Sequence, residues 1–212
     1  MKKTISLLLL VLMTVSLFAG CKEKPYVPEG PTDVDYGSVS YVAYQDETAL
    51  TFDYLDCFTR STEDGPFVAN TPDKKGVITY DFYDSFVDLT DTQQYYQIPS
   101  RTFAEIAAFT EEEARTYMRD SLGMVEAMNA DYVEDDFVFE KTDDLITLGM
   151  EVTATYRVTG EIQKLYVRKL VVSNERVYTI QYSVPASCVT KYGPCVKNVK
   201  LDLSAALTAS AD

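Results

Sequence analysis

The chain has 212 residues, with 33 acidic against 19 basic side chains, a net charge of −14 and no histidine. A chain of this length supports one ordinary hydrophobic core. An acidic surface repels phosphate backbones, so we expect no nucleic-acid partner, although the acidity is also explained by solubility alone. Without histidine, Ser–His and Cys–His catalysis and histidine-ligated zinc are excluded.

Residues 1–20 have the composition of a signal peptide. Two lysines are followed by an apolar run from Ile5 to Phe18, which has the length of a signal-peptide core and is too short to span a bilayer comfortably. Ala19 and Gly20 then precede Cys21, and small residues are needed where a peptidase closes around the backbone. A plain secretory signal or an uncleaved membrane anchor are the alternatives.

This arrangement around Cys21 resembles the lipobox of bacterial lipoproteins, although Phe18 stands where that family usually has leucine or a small aliphatic residue. The resemblance implies that the Cys21 thiol is alkylated with diacylglycerol, that the leader is cleaved before it, and that Cys21 becomes the mature N-terminus. It also implies a lipid anchor in the cell membrane, on the extracytoplasmic side. Residues 21–37 are then the lipidated N-terminus and a flexible linker, because three prolines and two glycines interrupt regular structure there.

Residues 38–204 are expected to form a single α+β domain. The clearest pattern lies between 145 and 158, where every even position is apolar, which predicts a strand with one buried face. Turns at Thr159-Gly160 and at 173–175 separate this strand from "IQKLYVRKLVV" and "RVYTIQYSV", which have strand-like composition. Three consecutive strands with short turns predict an antiparallel meander.

The first half of the domain also has strand-like segments, namely "SVSYVAYQ", "ALTFDYLDCFT" and "GVITYDFYDSF". Between the halves, Thr110 and Glu113 have the spacing of a capping box and predict a helix, and Thr102 and Glu105 predict a shorter one. Strands, helices and strands in this order predict an antiparallel sheet covered by one or two helices. Residues 196–203 fit either a strand or a helix, and residues 205–212 are expected to be a disordered tail.

The segments "TALTFDYLDCF", "GPFVANTPDKKGVITYDFY" and "RVYTIQYSVPAS", with the central helix, resemble the PsbP/Mog1-like fold over roughly residues 38–204. The aromatic–proline pair common in that family is missing, since Leu55 follows Tyr54. A cystatin-like or NTF2-like sheet with a helix is the alternative. The resemblance implies an accessory or interaction protein with a protein partner, rather than an enzyme.

A candidate calcium site is the acidic group Asp131, Glu134, Asp135 and Asp136, because calcium prefers oxygen ligands. Their spacing does not match an EF-hand loop and the glycine of its turn is missing, so a solvated acidic loop is predicted, with no metal and no cofactor. The many carboxylates also leave open an acid/base hydrolase, but no catalytic residue is assigned.

Cys188 and Cys195 bracket "VTKYGP", whose Gly193-Pro194 turn favours their approach. Because disulfides are permitted outside the cytoplasm, a Cys188–Cys195 disulfide that closes this loop is predicted. Cys57 lies in a predicted strand and is expected to be a buried free thiol. The odd number of cysteines left after lipidation also leaves open a bond between two molecules.

The chain has sixteen tyrosines and no tryptophan. Tyrosines stack on sugars, but Tyr156, Tyr178 and Tyr182 fall at inward strand positions and are expected in or beside the core. The primary hypothesis is a lipid-anchored, non-catalytic interaction protein, and the alternative is a calcium- or glycan-binding lipoprotein. An exposed apolar sheet face favours the first, and a concave pocket of tyrosines and carboxylates favours the second.

Overall fold

The computed structural model of the protein describes residues 39–45, 49–61, 66–84, 101–122 and 129–208. Cys21, the leader and the linker therefore lie outside the described residues, as do residues 209–212. No helix in the described part of the chain is long and apolar enough to cross a membrane.

Most of the described chain is in strands. The strands are β1 (Tyr41–Gln45), β2 (Leu50–Leu55), β3 (Thr59–Ser61), β4 (Phe67–Asn70), β5 (Val77–Asp84), β6 (Ala130–Lys141), β7 (Leu145–Tyr156), β8 (Ile162–Val172), β9 (Arg176–Pro185) and β10 (Val196–Leu201). The helices are short: α1 (Phe103–Ala107), α2 (Glu111–Ser121), α3 (Ala186–Tyr192) and α4 (Leu203–Thr208).

The strands form two antiparallel sheets. The large sheet has seven strands in the order β3-β4-β5-β9-β8-β7-β6, and the small sheet has three in the order β1-β2-β10. Strands β7, β8 and β9 pair successively as antiparallel neighbours, which confirms the predicted meander. The predicted antiparallel sheet with a few helices is therefore present, with a second, smaller sheet that was not predicted.

One face of the large sheet, here called the helix face, packs against α1 and α2. The even residues of β7 are buried there because their side chains all point to the same side of the strand. They meet Ile106, Ala114 and Met118 of the two helices, all at most 1% exposed. The period of two in the sequence therefore marks the strand on which the helices rest.

The opposite face, here called the small-sheet face, packs against the small sheet, α3 and α4 through β4, β5, β9 and the end of β8. Its centre is aromatic: the Phe52 and Phe67 rings are 5.1 Å apart edge-to-face, and Tyr44 lies 4.7 Å from Phe67. Strand β8 serves both cores, since Leu170 and Val172 face the small sheet while Val167 faces the helices.

Both predicted capping boxes are present. The Thr102 hydroxyl accepts a hydrogen bond from the Glu105 N–H, and the Glu105 carboxylate accepts one from the Thr102 N–H at 2.8 Å. Thr110 and Glu113 repeat this arrangement, also at 2.8 Å, at the start of α2. These reciprocal bonds satisfy N–H groups that have no partner within the helix.

The prediction of an acidic loop around residues 131–136 is wrong, because these residues lie in β6. A β-bulge between Glu134 and Asp136 shifts the register, so that Tyr132 before it and Phe137 after it both face the helices. The bulge therefore changes which positions are apolar, from even to odd, and hides the alternation.

The C-terminal part of the domain contains one more strand and one more helix. The sequence of residues 196–203 fits either a strand or a helix, and the structure has both: β10 ends at Leu201 and α4 begins at Leu203. Helix α4 continues to Thr208 and buries Ala206 completely, so the ordered domain extends beyond residue 204.

Gly76 lies where two parts of the core approach closely. A Cβ atom on it would lie 2.9 Å from both Thr71 Cγ2 and Val184 Cγ1. We expect Gly76→Ala to lower the free energy of unfolding by about 1–3 kcal/mol, because the buried backbone around it has to move. Urea unfolding checks this. The control is Gly149→Ala, whose nearest contact would be 3.3 Å, and an equal loss in both variants would contradict the explanation.

Candidate functional site

The small sheet covers only part of the small-sheet face. Beyond it, β6, β7 and the first half of β8 present a surface outside both hydrophobic cores of the described residues, here called the open face. Its members are Val133, Asp135, Glu151, Thr153, Ile162 and Lys164. Val133 is 63% exposed and Ile162 47% exposed, which is high for large apolar side chains in strands. The open face therefore combines exposed apolar groups with charged ones.

Lys164 is at the centre of the open face. Its Nζ atom lies 2.6 Å from Asp135 Oδ2 and 3.5 Å from Glu151 Oε1. The Thr153 hydroxyl donates a second hydrogen bond to the same Asp135 oxygen at 2.6 Å. These four side chains come from three adjacent strands, so the register of β6, β7 and β8 determines the contact.

This environment changes the acidity of Asp135. Partial burial pushes its pKa upward, but the hydrogen bonds from Lys164 and Thr153 and the charge of Lys164 outweigh burial, so the pKa of Asp135 is lowered overall. A general acid needs a raised pKa to hold its proton at neutral pH. Asp135 is therefore unsuited to the acid role in the hydrolase alternative.

Two tyrosines connect the open face to the core. The Tyr182 hydroxyl donates a hydrogen bond to Glu151 at 2.6 Å, and its ring stacks on Tyr166 with centroids 4.9 Å apart. Burial and the bond to Glu151 raise the pKa of Tyr182, and burial raises the pKa of Tyr166, so both hydroxyls remain protonated. Tyr182 is only 3% exposed and Tyr178 only 1%, which confirms their predicted core positions, and neither ring is available to stack on a sugar.

Arg168 borders the open face beside Tyr166. It lies opposite Gly149 in the β7–β8 ladder, and its Nε atom would be 3.8 Å from a Cβ on that glycine. The absence of a side chain on Gly149 therefore leaves space for the guanidinium against the sheet.

The structure does not bring the four candidate calcium ligands together. Glu134 points to the helix face, where it pairs with Arg115 and lies 3.6 Å from Arg119. Asp131 pairs with Arg157 at 2.7 Å near the start of β6. Asp135 is held by Lys164, and Asp136 is exposed. Among the residues that the structure describes, no group of acidic, cysteine or histidine side chains has the arrangement of a metal site.

The predicted Cys188–Cys195 disulfide is not formed in the structure, in which both residues are free thiols. The segment between them contains helix α3 instead of an open loop, and Gly193 at φ +81° turns the chain into β10. The thiols are fully buried and joined by a hydrogen bond, which with burial raises the pKa of Cys195. A hydrogen-bonded pair lies farther apart than the bond of about 2.05 Å in a disulfide.

Cys57 is a free thiol, as predicted, but it lies in the turn after β2 and is half-buried rather than within a strand. Burial raises its pKa, and the nearby Asp56 and Cys188 raise it further. Since only thiolates are strong nucleophiles, Cys57 and Cys195 are held in an unreactive form at neutral pH.

The sequence did not single out Glu151, Lys164 or Tyr166 as site residues. The signal that was available is weak: Glu151 and Thr153 occupy the outward positions of the strand that had been predicted with one buried face. Their contacts with β6 and β8 depend on strand register, which the sequence alone does not give.

No protein-family description matches this chain, and no curated protein matches it by sequence. Among solved structures, it is similar to cyanobacterial PsbP from Synechocystis, with a TM-score of 0.45 and 10% identity, covering 73% of this chain and 86% of that one. It is also similar to the Ran-binding protein Mog1p of Saccharomyces cerevisiae, with a TM-score of 0.40 and 12% identity, covering 73% and 84%.

Both structures bear the names of the family that the sequence resembles. The two antiparallel sheets and small helices are features of this chain in its own right, and its membership of the PsbP/Mog1-like family stays a prediction.

The acid sensitivity of the protein tests the Asp135 contact. A lowered folded-state pKa means that Asp135 stabilises the fold above its unfolded-state pKa of about 3.9, and that this stabilisation is lost as the pH falls through the folded value. We expect Asp135→Asn to be less stable by at most about 1 kcal/mol near neutral pH, because solvent screens this exposed pair, and to lose less stability than the wild type on acidification.

Urea unfolding at a series of pH values from about 7 to about 3 measures both effects. Asp143→Asn is the control, because Asp143 is exposed and makes no hydrogen bond or ion pair with another described residue. Parallel pH profiles for Asp135→Asn and the wild type would contradict the assignment.

Proposed function

We propose that this protein is a non-catalytic interaction protein, held on the extracytoplasmic side of the cell membrane by lipid on Cys21, and that it binds a protein partner through its open face. The observation that carries the proposal is the exposure of Val133 and Ile162 on a sheet face whose neighbouring charges are already paired. Exposed apolar groups surrounded by polar ones are typical of surfaces that bind proteins.

The chemistry of the open face supports binding rather than a reaction. Lys164 holds Asp135 and lies close to Glu151, and Tyr182 donates to Glu151, so these groups satisfy one another. A network of this kind stays rigid and offers a preformed surface, which reduces the conformational entropy that this surface loses on binding.

The lipid anchor supports this role because it concentrates the protein at the membrane. Two acyl chains suffice for stable attachment, at about 0.8 kcal/mol per buried methylene group. Without the two lysines of the leader the chain has 17 basic and 33 acidic residues, a net charge of −16, which repels anionic headgroups and keeps the open face accessible.

Labelling with radioactive palmitate tests the anchor. We expect the wild type to incorporate label and to fractionate with membranes, and Cys21→Ser to do neither, because the thiol is the atom that the lipid alkylates. Cys57→Ser is the control and is expected to label normally. Equal labelling of Cys21→Ser and the wild type would remove the anchor from the proposal.

Crosslinking in intact cells tests the open face. We expect Val133→Lys combined with Ile162→Lys to reduce the yield of the crosslinked complex at least about fivefold, because charges replace the exposed apolar contacts. Leu207→Lys is the control, since Leu207 is also exposed, at 37%, but lies on α4, which contacts Asn174 beyond the end of β8, whereas Ile162 lies at the start of β8. A complex of unchanged yield with the double variant, at equal melting temperature, would contradict a role for the open face.

A further inference from the structure

Strand β6 forms one edge of the large sheet. It is twelve residues long and pairs only with β7, and no other described strand lies on its outer side. The outer N–H and C=O groups of such a strand have no partner within the sheet and are able to bond to an added strand. Natural proteins usually protect an edge of this length with charges or bulges, and β6 has both.

The charges of β6 are not all neutralised. Asp131, Glu134 and Asp135 pair with cations of this chain, whereas Asp136 and Glu140 are exposed and form no ion pair with another described residue. The ladder places Asp136 opposite Glu151 and Glu140 opposite Thr147, so both carboxylates lie on the small-sheet face. Val138 lies between them on the same face. The edge therefore has two unneutralised negative charges around one apolar side chain.

A second copy of this chain is a poor occupant of the edge. Pairing β6 with β6 would bring two acidic strands together, and like charges on adjacent strands destabilise a sheet. An extended segment with lysine or arginine at alternating positions has the opposite property, because its cations would lie beside Asp136 and Glu140.

We propose that β6 accepts an extended, lysine- or arginine-bearing segment of a partner protein as an added strand. The proposal rests on the proposed function and names the chemistry of the partner. The regular stretch Asp136–Lys141 receives the segment, because the bulge between Glu134 and Asp136 interrupts the ladder before it. Backbone hydrogen bonds to β6 fix the register of the added strand. The carboxylates of Asp136 and Glu140 favour a positively charged segment.

A short synthetic peptide of alternating lysine and valine is the probe. We expect it to bind the full-length protein and to slow amide hydrogen exchange in β6 and not elsewhere. The same peptide with alternate backbone nitrogens methylated keeps its charge but loses backbone N–H groups that would bond to β6. We therefore expect it to bind more than about tenfold more weakly. Equal binding of the two peptides, or protection outside β6, would overturn strand addition in favour of unspecific charge attraction.

Substitutions in β6 test the selection of charge. We expect Asp136→Asn combined with Glu140→Gln to weaken peptide binding about fivefold, since two exposed ion pairs are lost. The control is Asp73→Asn combined with Asp202→Asn, which changes the net charge equally and keeps the oxygens that accept turn and cap hydrogen bonds. Equal weakening by the two double variants would overturn a specific role for β6.

Site-specific photocrosslinking in cells separates this proposal from the proposed function. A photoreactive residue is placed at Thr155, which lies opposite Ile162 beside the open face, in one variant, and at Asp143, just after β6, in another. A partner captured at Thr155 and not at Asp143 would leave the proposed function standing and overturn strand addition. Capture at neither position would overturn both.

Discussion

The large sheet is covered on its two faces by layers that lie over different strands. Helices α1 and α2 cover β6, β7 and part of β8 on one side, while the small sheet with α3 and α4 covers β4, β5, β9 and the rest of β8 on the other. Both the one-sided apolar pattern of β7 and the existence of the open face depend on this offset. The offset forces β7 to be apolar on one side only, and it leaves the other side of β6 and β7 outside both cores, where the charged network and the exposed Val133 are found.

The parts of the fold that sequence predicted correctly are those fixed by local rules. The alternation of β7 follows from a strand with one buried face, and the two capping boxes depend on residues three positions apart. Strand β6 was missed because its bulge changes the apolar positions from even to odd. Helix α3 was missed because its sequence, with Val189 and Thr190, has low helix propensity, so its formation depends on burying Cys188.

The candidate site was less predictable than the fold. The acidic residues of β6 were recognised as a group, but sequence placed them together on one loop, whereas the strand and its bulge send Glu134 to the helices and Asp135 to Lys164. The contact of Asp135 with Lys164 crosses β7, so it depends on the register of three strands. Two cysteines close in sequence suggested a covalent link, and the structure instead packs them as thiols beside each other in the core.

Strand β8 contributes side chains to both cores, which affects how the protein unfolds. Leu170 and Val172 belong to one core and Val167 and Val171 to the other, although all four lie in the same stretch of chain. Pulling β8 out of either core removes it from the other as well, since the strand cannot leave only one side of the sheet. We therefore expect the two cores to unfold together as a single cooperative unit.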